Sequence, residues 1–165
     1  MVLGIADEAA AAAAYDQIIR DVGYHEAGAR VEGILVVKQL LGGRETIVGA
    51  TRDSKFGALV MFGLGGIYAE ALHDVVFRIA PIGDAEAAAM IAGIRGAAIL
   101  NGIRGQAAVD LAALRDVVRR VGQLTLDCPE IKELDLNPVL AFENGVVAVD
   151  CRIVLSTRDG GSPER

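Results

Sequence analysis

Glu133-Leu-Asp-Leu-Asn-Pro138, followed twelve residues later by Asp150, is the stretch whose reading decides the fold. Between the two segments stands Asn144-Gly145, the strongest short hairpin signal because both residues tolerate positive φ. A two-residue turn there pairs Glu143 with Val146, and counting outward sets Val139 opposite Asp150. Side chains alternate along a strand, so Asn137, Val139 and Asp150 share a face, with Asp135 further along it. Asn137 and Asp150 are then diagonal neighbours, about 7–8 Å apart at the backbone. Two oxygen-bearing side chains can converge from there on a hard cation, and magnesium favours one or two protein oxygens with phosphates and waters completing its shell. The competing reading is structural: Asx residues before proline often only make turns, and Pro138 interrupts the ladder.

Working outward, two further strands read as a hairpin. Residues 31–41 are apolar and β-branched, and Gly42-Gly43 turns the chain into Glu45-Thr-Ile-Val48. A third strand runs from Ala58 to Phe62 and ends in Gly63-Leu-Gly-Gly66, and Val75 to Ala80 reads as a fourth, closed by Pro81. Asp7 is placed to cap a first helix carrying Ala11, Tyr15, Ile18, Ile19 and Val22. Asp84 caps a second with Ala87, Met90, Ile91 and Ile94. Residues 96–106 form a loop with one helical turn. Asp110 caps the longest helix, striped by Leu111, Leu114, Val117, Val118, Val121 and Leu124. Strands joined by hairpins, with helices grouped between them, predict an α+β fold with a mainly antiparallel sheet. The domain is expected to span 1–155, with a disordered tail over 156–165.

Composition narrows the function. With 165 residues the chain can bury a substantial core, and its 53% hydrophobic content is rich in alanine, with seven aromatic residues and no tryptophan. Close-packed helices on a sheet follow from such small side chains. A net charge of −6 excludes an extended nucleic-acid surface. Arg115, Arg119 and Arg120 sit with Asp110 and Asp116 on what reads as a solvated helix face. Cys128 and Cys151 have neither disulfide-framework nor metal spacing, which fits a cytoplasmic protein. No apolar run reaches a membrane span of about 18 residues, and no membrane partner is expected.

Gly63-Leu-Gly-Gly66 after a strand is either a tight turn or a nest whose amides approach phosphate oxygens. It has neither the Walker nor the dinucleotide spacing. Glu70 and His73 lie just beyond it, and a lone histidine more often packs than reacts. Arg78, between apolar strand residues, needs a partner if it faces inward, either a carboxylate or a phosphate. Arg104, framed by Gly102 and Gly105, has the same two readings. His25 carries none.

Three ordered segments resemble the ATP-grasp domain of NDP-forming acyl-CoA synthetases such as ADP-forming acetyl-CoA synthetase, related to the succinyl-CoA synthetase β subunit. They are Gly42-Gly-Arg-Glu-Thr-Ile-Val-Gly-Ala-Thr-Arg-Asp53, then Val60-Met-Phe-Gly-Leu-Gly-Gly-Ile-Tyr-Ala-Glu70 through Phe77-Arg-Ile-Ala-Pro81, and finally Glu133 to Pro138 with Val147-Ala-Val-Asp150. The resemblance runs from about Val2 to Leu155. It implies Asn137 and Asp150 as magnesium ligands and Glu45 facing ATP or ADP. It also implies that Gly63, Gly65 and Gly66, with Glu70, border the phosphoryl-transfer site, with Arg78 and Arg104 as further polar candidates. The implied chemistry moves a phosphoryl group between ADP and a phosphohistidine carried elsewhere, largely by charge stabilisation.

The departures bear on activity. The first ATP-grasp subdomain, with its phosphate-contacting lysine, has no counterpart here, nor do the CoA-binding region and the phosphorylated histidine. Val37 and Lys38 stand where the family has glutamine and glutamate for adenine, and His73 stands where a lysine is expected. The implied partner is therefore the rest of the synthetase, as domains or a second subunit. The chain alone is expected to be inactive. The alternative is a non-catalytic, self-associating relic of the domain, and a homodimer is expected under both readings.

Overall fold

The computed structural model describes residues 1–66, 74–103 and 105–156. Glu70, His73 and Arg104 lie outside the described residues, as does all of the expected tail except Ser156. The chain divides into two compact units, Met1–Leu41 and Gly42–Arg165.

In the first unit, helix α1 spans Glu8–His25, and Asp7 caps it by accepting a hydrogen bond from the Ala10 amide at 2.8 Å. The Gly4 amide donates to Gln39 Oε1. The strand expected over 31–41 does not form. Leu35, Val36 and Val37 are exposed, and the segment pairs with no strand among the described residues. Its β-branched composition satisfies local propensity, but the strand it was expected to join is already paired on both sides.

That strand, β1 (Arg44–Asp53), opens the second unit. It pairs antiparallel with β2 (Gly57–Leu64) on one side and with β4 (Ile131–Ala141) on the other. Strand β3 (Val75–Ile79) pairs with β2 at one edge. At the opposite edge β4 pairs with β5 (Val146–Ala148) and then β6 (Cys151–Leu155). The order is β3-β2-β1-β4-β5, with β6 also on β4, and every pairing is antiparallel. The expected α+β architecture is correct.

Three helices cover one face. They are α2 (Asp84–Gly93), the single turn α3 (Ala97–Leu100) and α4 (Leu111–Asp127). Helix α2 begins one residue earlier than read from the sequence: Gly83, not Asp84, is the N-cap, and its amide donates to Glu86 Oε2. Helix α4 starts at the expected Asp110 cap but is one residue shorter than α1. Period-two alternation sends Val48, Ala50, Val60, Phe62 and Leu64 into this layer against Ala87, Met90, Leu114, Val118 and Val121. Fully burying one such large side chain contributes about 1.5–3 kcal/mol. The odd-numbered positions of β1 and β2 therefore form the second face of the sheet.

Candidate functional site

The second face is shaped by two interruptions in the ladder around Pro138. On one side of β4, Thr46 pairs with Val139 and Val48 with Leu136, so β4 has one residue more than β1 over this interval. Such a bulge re-aims the side chains beside it. Core-facing positions on β4 accordingly switch from Leu134 and Leu136 to Val139 and Ala141. Asn137, next to Leu136, projects from the second face and is exposed. The buried Thr46 hydroxyl closes the bulge by donating to the Val139 carbonyl at 2.9 Å.

On the other side of β4 the ladder breaks between β5 and β6. Val139 pairs with Ala148 and Leu136 with Cys151, and these registers are continuous across the break. Asn137 thus stands directly opposite Asp150. The Val149 amide donates to the Pro138 carbonyl at 3.0 Å and bridges the gap. The sequence reading put the two residues on one face, as found, but as diagonal neighbours two residues out of register.

The cause of the shift lies in the turn. A four-residue connection, 142–145, replaces the expected two-residue one, with Ala141 opposite Val146 and the Phe142 amide donating to the Gly145 carbonyl. The Asp110 cap captures the groups a tighter turn would need: its amide donates to the Phe142 carbonyl at 2.7 Å, and its Oδ2 accepts from the Gly145 amide at 3.0 Å. Gly145 adopts φ +83°, so the glycine signal was read correctly and the pairing around it was not. A slip of two residues preserves side-chain parity, so Asn137 and Asp150 keep a common face, whereas Val139, expected beside them, is turned by the bulge into the core.

Glu45 meets the glycine segment. The Gly65 amide donates to the Glu45 carbonyl at 2.8 Å. A Cβ on Gly65 would lie 3.0 Å from the Glu45 Cβ, and one on Gly66 would collide with Glu45 Oε2. Gly63 is packed against the Asp74–Val75 backbone, where a Cβ would stand 2.8 Å from the Asp74 carbonyl. These glycines permit close approach of protein to protein, and the Gly65 amide is committed to β1. Asp74 itself is buried, accepting from the Arg95 and Gly96 amides at 2.7 Å each. No sequence signal marked it.

Arg78 is not interior. It pairs with Val60, which faces the helices, yet on the edge strand it is exposed, and its guanidinium donates to the Phe77 carbonyl. It stands on the face opposite Asn137. Asp135 shares the second face with Asn137 and pairs across β1 with Gly49. Among the described residues, no three histidine, cysteine, aspartate or glutamate side chains cluster to hold a metal. Asn137 and Asp150 instead offer the sparse oxygen set suited to a magnesium ion whose remaining ligands come from phosphate and water. Asp150 Oδ1 accepts from the Cys151 amide at 2.8 Å, which orients the carboxylate. No described helix is long and apolar enough to cross a membrane.

A mostly antiparallel sheet with helices packed on one face matches the ATP-grasp fold of ADP-forming acetyl-CoA synthetase. The chain belongs to the ATP-grasp family, whose domain profile matches residues 1–155. It corresponds to the ATP-grasp part of ADP-forming acyl-CoA synthetases. Acetate–CoA ligase (ADP-forming) I of Archaeoglobus fulgidus is 48% identical over 142 residues, 86% of this chain and 21% of that protein. The β subunit of acetate–CoA ligase (ADP-forming) I of Pyrococcus furiosus is 43% identical over 153 residues, 93% of this chain and 66% of the subunit. The chain therefore spans about a fifth of the first relative and just under two thirds of the second. Among solved structures, the dinucleotide-forming acetyl-coenzyme A synthetase 1 of Ca. Korarchaeum cryptofilum superposes with a TM-score of 0.82 at 37% identity, covering 94% of this chain and 67% of that one. That protein was captured with coenzyme A and Mg-AMPPCP, its phosphohistidine segment pointing towards the nucleotide-binding site.

Proposed function

We propose that the second face of the sheet is one wall of a magnesium-nucleotide site, and that the chain serves phosphoryl transfer between ATP or ADP and a phosphohistidine within an ADP-forming acyl-CoA synthetase. The carrying observation is the continuous register that sets Asn137 opposite Asp150 beside the bulge. Asn137 and Asp150 would hold the metal. Magnesium bound there supplies neutralisation of charge developing on the transferred group.

The protein's own groups have separable tasks in this reading. The Cys151 amide fixes the Asp150 carboxylate, and the Thr46 hydroxyl fixes the bulge that turns Asn137 outward. Glu45, wedged against Gly65 and Gly66, would face the nucleotide and the glycine segment would border the transfer site; the family resemblance adds Glu70 to that border as a candidate outside the described residues. Arg104 remains a candidate for phosphate contact, whereas Arg78 is left out because it lies on the helix side. Coenzyme A, the acyl group and the histidine are assigned to other parts of the synthetase, so the isolated chain is expected to form no acyl-CoA.

Titration calorimetry with Mg-ADP tests the site. Saturable binding that weakens in Asp150→Asn and Asn137→Ala supports it. Binding indifferent to both substitutions counts against it. Acyl-CoA formation by the purified chain alone would refute the division of labour.

A further inference from the structure

Besides Asp53 at the far end of β1, whose carboxylate accepts from the Lys55 and Phe56 amides of the β1–β2 turn, the strands present four carboxylates on the second face: Glu45 from β1, Glu133 and Asp135 from β4, and Asp150 at the break before β6. Arg152 joins them. It pairs directly with Asp135 and lies two residues beyond Asp150, while intervening Cys151 pairs with core-facing Leu136. The other strand arginines are directed elsewhere. Arg44 donates to Gln106 and the Ala107 carbonyl, Arg52 to the Ile131 and Thr125 carbonyls, and Arg78 stands on the helix side. Lys132 falls at the irregularity at the far end of β4. Apart from that lysine, Arg152 is the one basic strand residue on this face among the described residues. It is exposed and forms no ion pair with a described residue.

A face bearing four carboxylates repels a polyphosphate, and a single divalent cation offsets only part of that charge. We infer that Arg152 binds a phosphate of a nucleoside di- or triphosphate beside the Asn137–Asp150 pair. This rests on the nucleotide reading above and adds a residue to it. A guanidinium suits the task because it is always charged and its planar fork engages two phosphate oxygens at once. Its position two residues from Asp150 lets it contact a nucleotide whose phosphates also bind the metal. A surface cross-strand pair with Asp135 is the competing role, and such a pair contributes little to stability.

Calorimetry on the purified chain with Mg-ADP and with AMP decides between them, using wild type, Arg152→Gln, Arg152→Lys and Asp135→Asn, with melting temperatures as the control for folding. Loss of a charge-assisted phosphate contact weakens binding by about tenfold or more. The expected result is that loss for Mg-ADP in Arg152→Gln, a smaller one in Arg152→Lys, little change for AMP, and unchanged or tighter Mg-ADP binding in Asp135→Asn. Mg-ADP affinity within twofold of wild type in Arg152→Gln overturns the inference. An equal loss in Asp135→Asn and Arg152→Gln also overturns it, because the two would then act as a structural pair. Failure of wild type to bind Mg-ADP removes the nucleotide reading itself and the inference with it.

Discussion

The carboxylate of Asp110 binds two pieces of chain at once: Oδ1 accepts from the Ala113 amide at 2.9 Å as the cap of α4, and Oδ2 accepts from the Gly145 amide at 3.0 Å in the hairpin turn. The register that brings Asp150 opposite Asn137 is thereby anchored to a helix on the other face. These hydrogen bonds, to Ala113 first and Gly145 second, hold the Asp110 carboxyl below its ordinary value. A group depressed in the folded state contributes stability fully above its unfolded pKa, and that contribution is lost as pH falls through the folded one. The difference in melting temperature between wild type and Asp110→Ala should therefore be constant near neutrality and shrink on acidification below the ordinary carboxylate range. Asp110→Asn separates the two bonds, since its oxygen can still cap α4 while its NH2 group faces the Gly145 amide donor to donor. It should melt between wild type and Asp110→Ala and need more magnesium for nucleotide binding. Thermal scans over a pH series and magnesium titrations check both statements.

Gly66→Ala should destabilise the chain by about 1–2 kcal/mol from its backbone alone, because φ is +59°. The added methyl also collides with the Glu45 carboxylate. Combining it with Glu45→Ala should recover the collision component and leave the backbone component. Denaturant melts of the two single variants and the double variant measure the coupling.

Local chemistry made much of this fold legible. Asp7 and Asp110 declare their helices because capping is satisfied within three residues, and Asn144-Gly145 declares its turn because positive φ is a property of the residues themselves. What could not be read depends on partners far along the chain. The β-branched run at 31–41 looks like a strand until β1 is seen to be paired on both sides. The hairpin register was misjudged by two residues because Asp110, 35 positions before Gly145, captures the turn. The glycines at 65 and 66 read as a turn or a phosphate nest, and only the fold reveals Glu45 pressed against them. Arg78, flanked by apolar residues, would need a partner only if it faced inward, and its edge position leaves it in solvent.

Thr46 ties the bulge to the metal pair. Its hydroxyl is buried and donates to the Val139 carbonyl, and losing that hydrogen bond costs about 0.5–1.5 kcal/mol. Thr46→Val should show that loss with little change in side-chain volume, and Thr46→Ser should recover most of it. If the bulge aims Asn137, Thr46→Val should also weaken Mg-ADP binding beyond what Thr46→Ser does. Equal nucleotide affinity in the two variants would separate the bulge from the site.

Asn137→Asp tests the juxtaposition at the centre of the proposed site without needing turnover. Directly opposed like charges in a sheet are destabilising by roughly 0.2–1 kcal/mol, and both positions here are exposed, so the lower part of that range applies. In chelator, the variant should melt slightly below wild type. A divalent cation inserted between two carboxylates reverses the repulsion, so millimolar magnesium should raise the variant's melting temperature more than that of wild type. Asn137→Asp combined with Asp150→Asn restores a single carboxylate, and the extra response should disappear. Were the two side chains farther apart than the ladder implies, Asn137→Asp would behave like any exposed charge change, with equal magnesium responses in all three proteins.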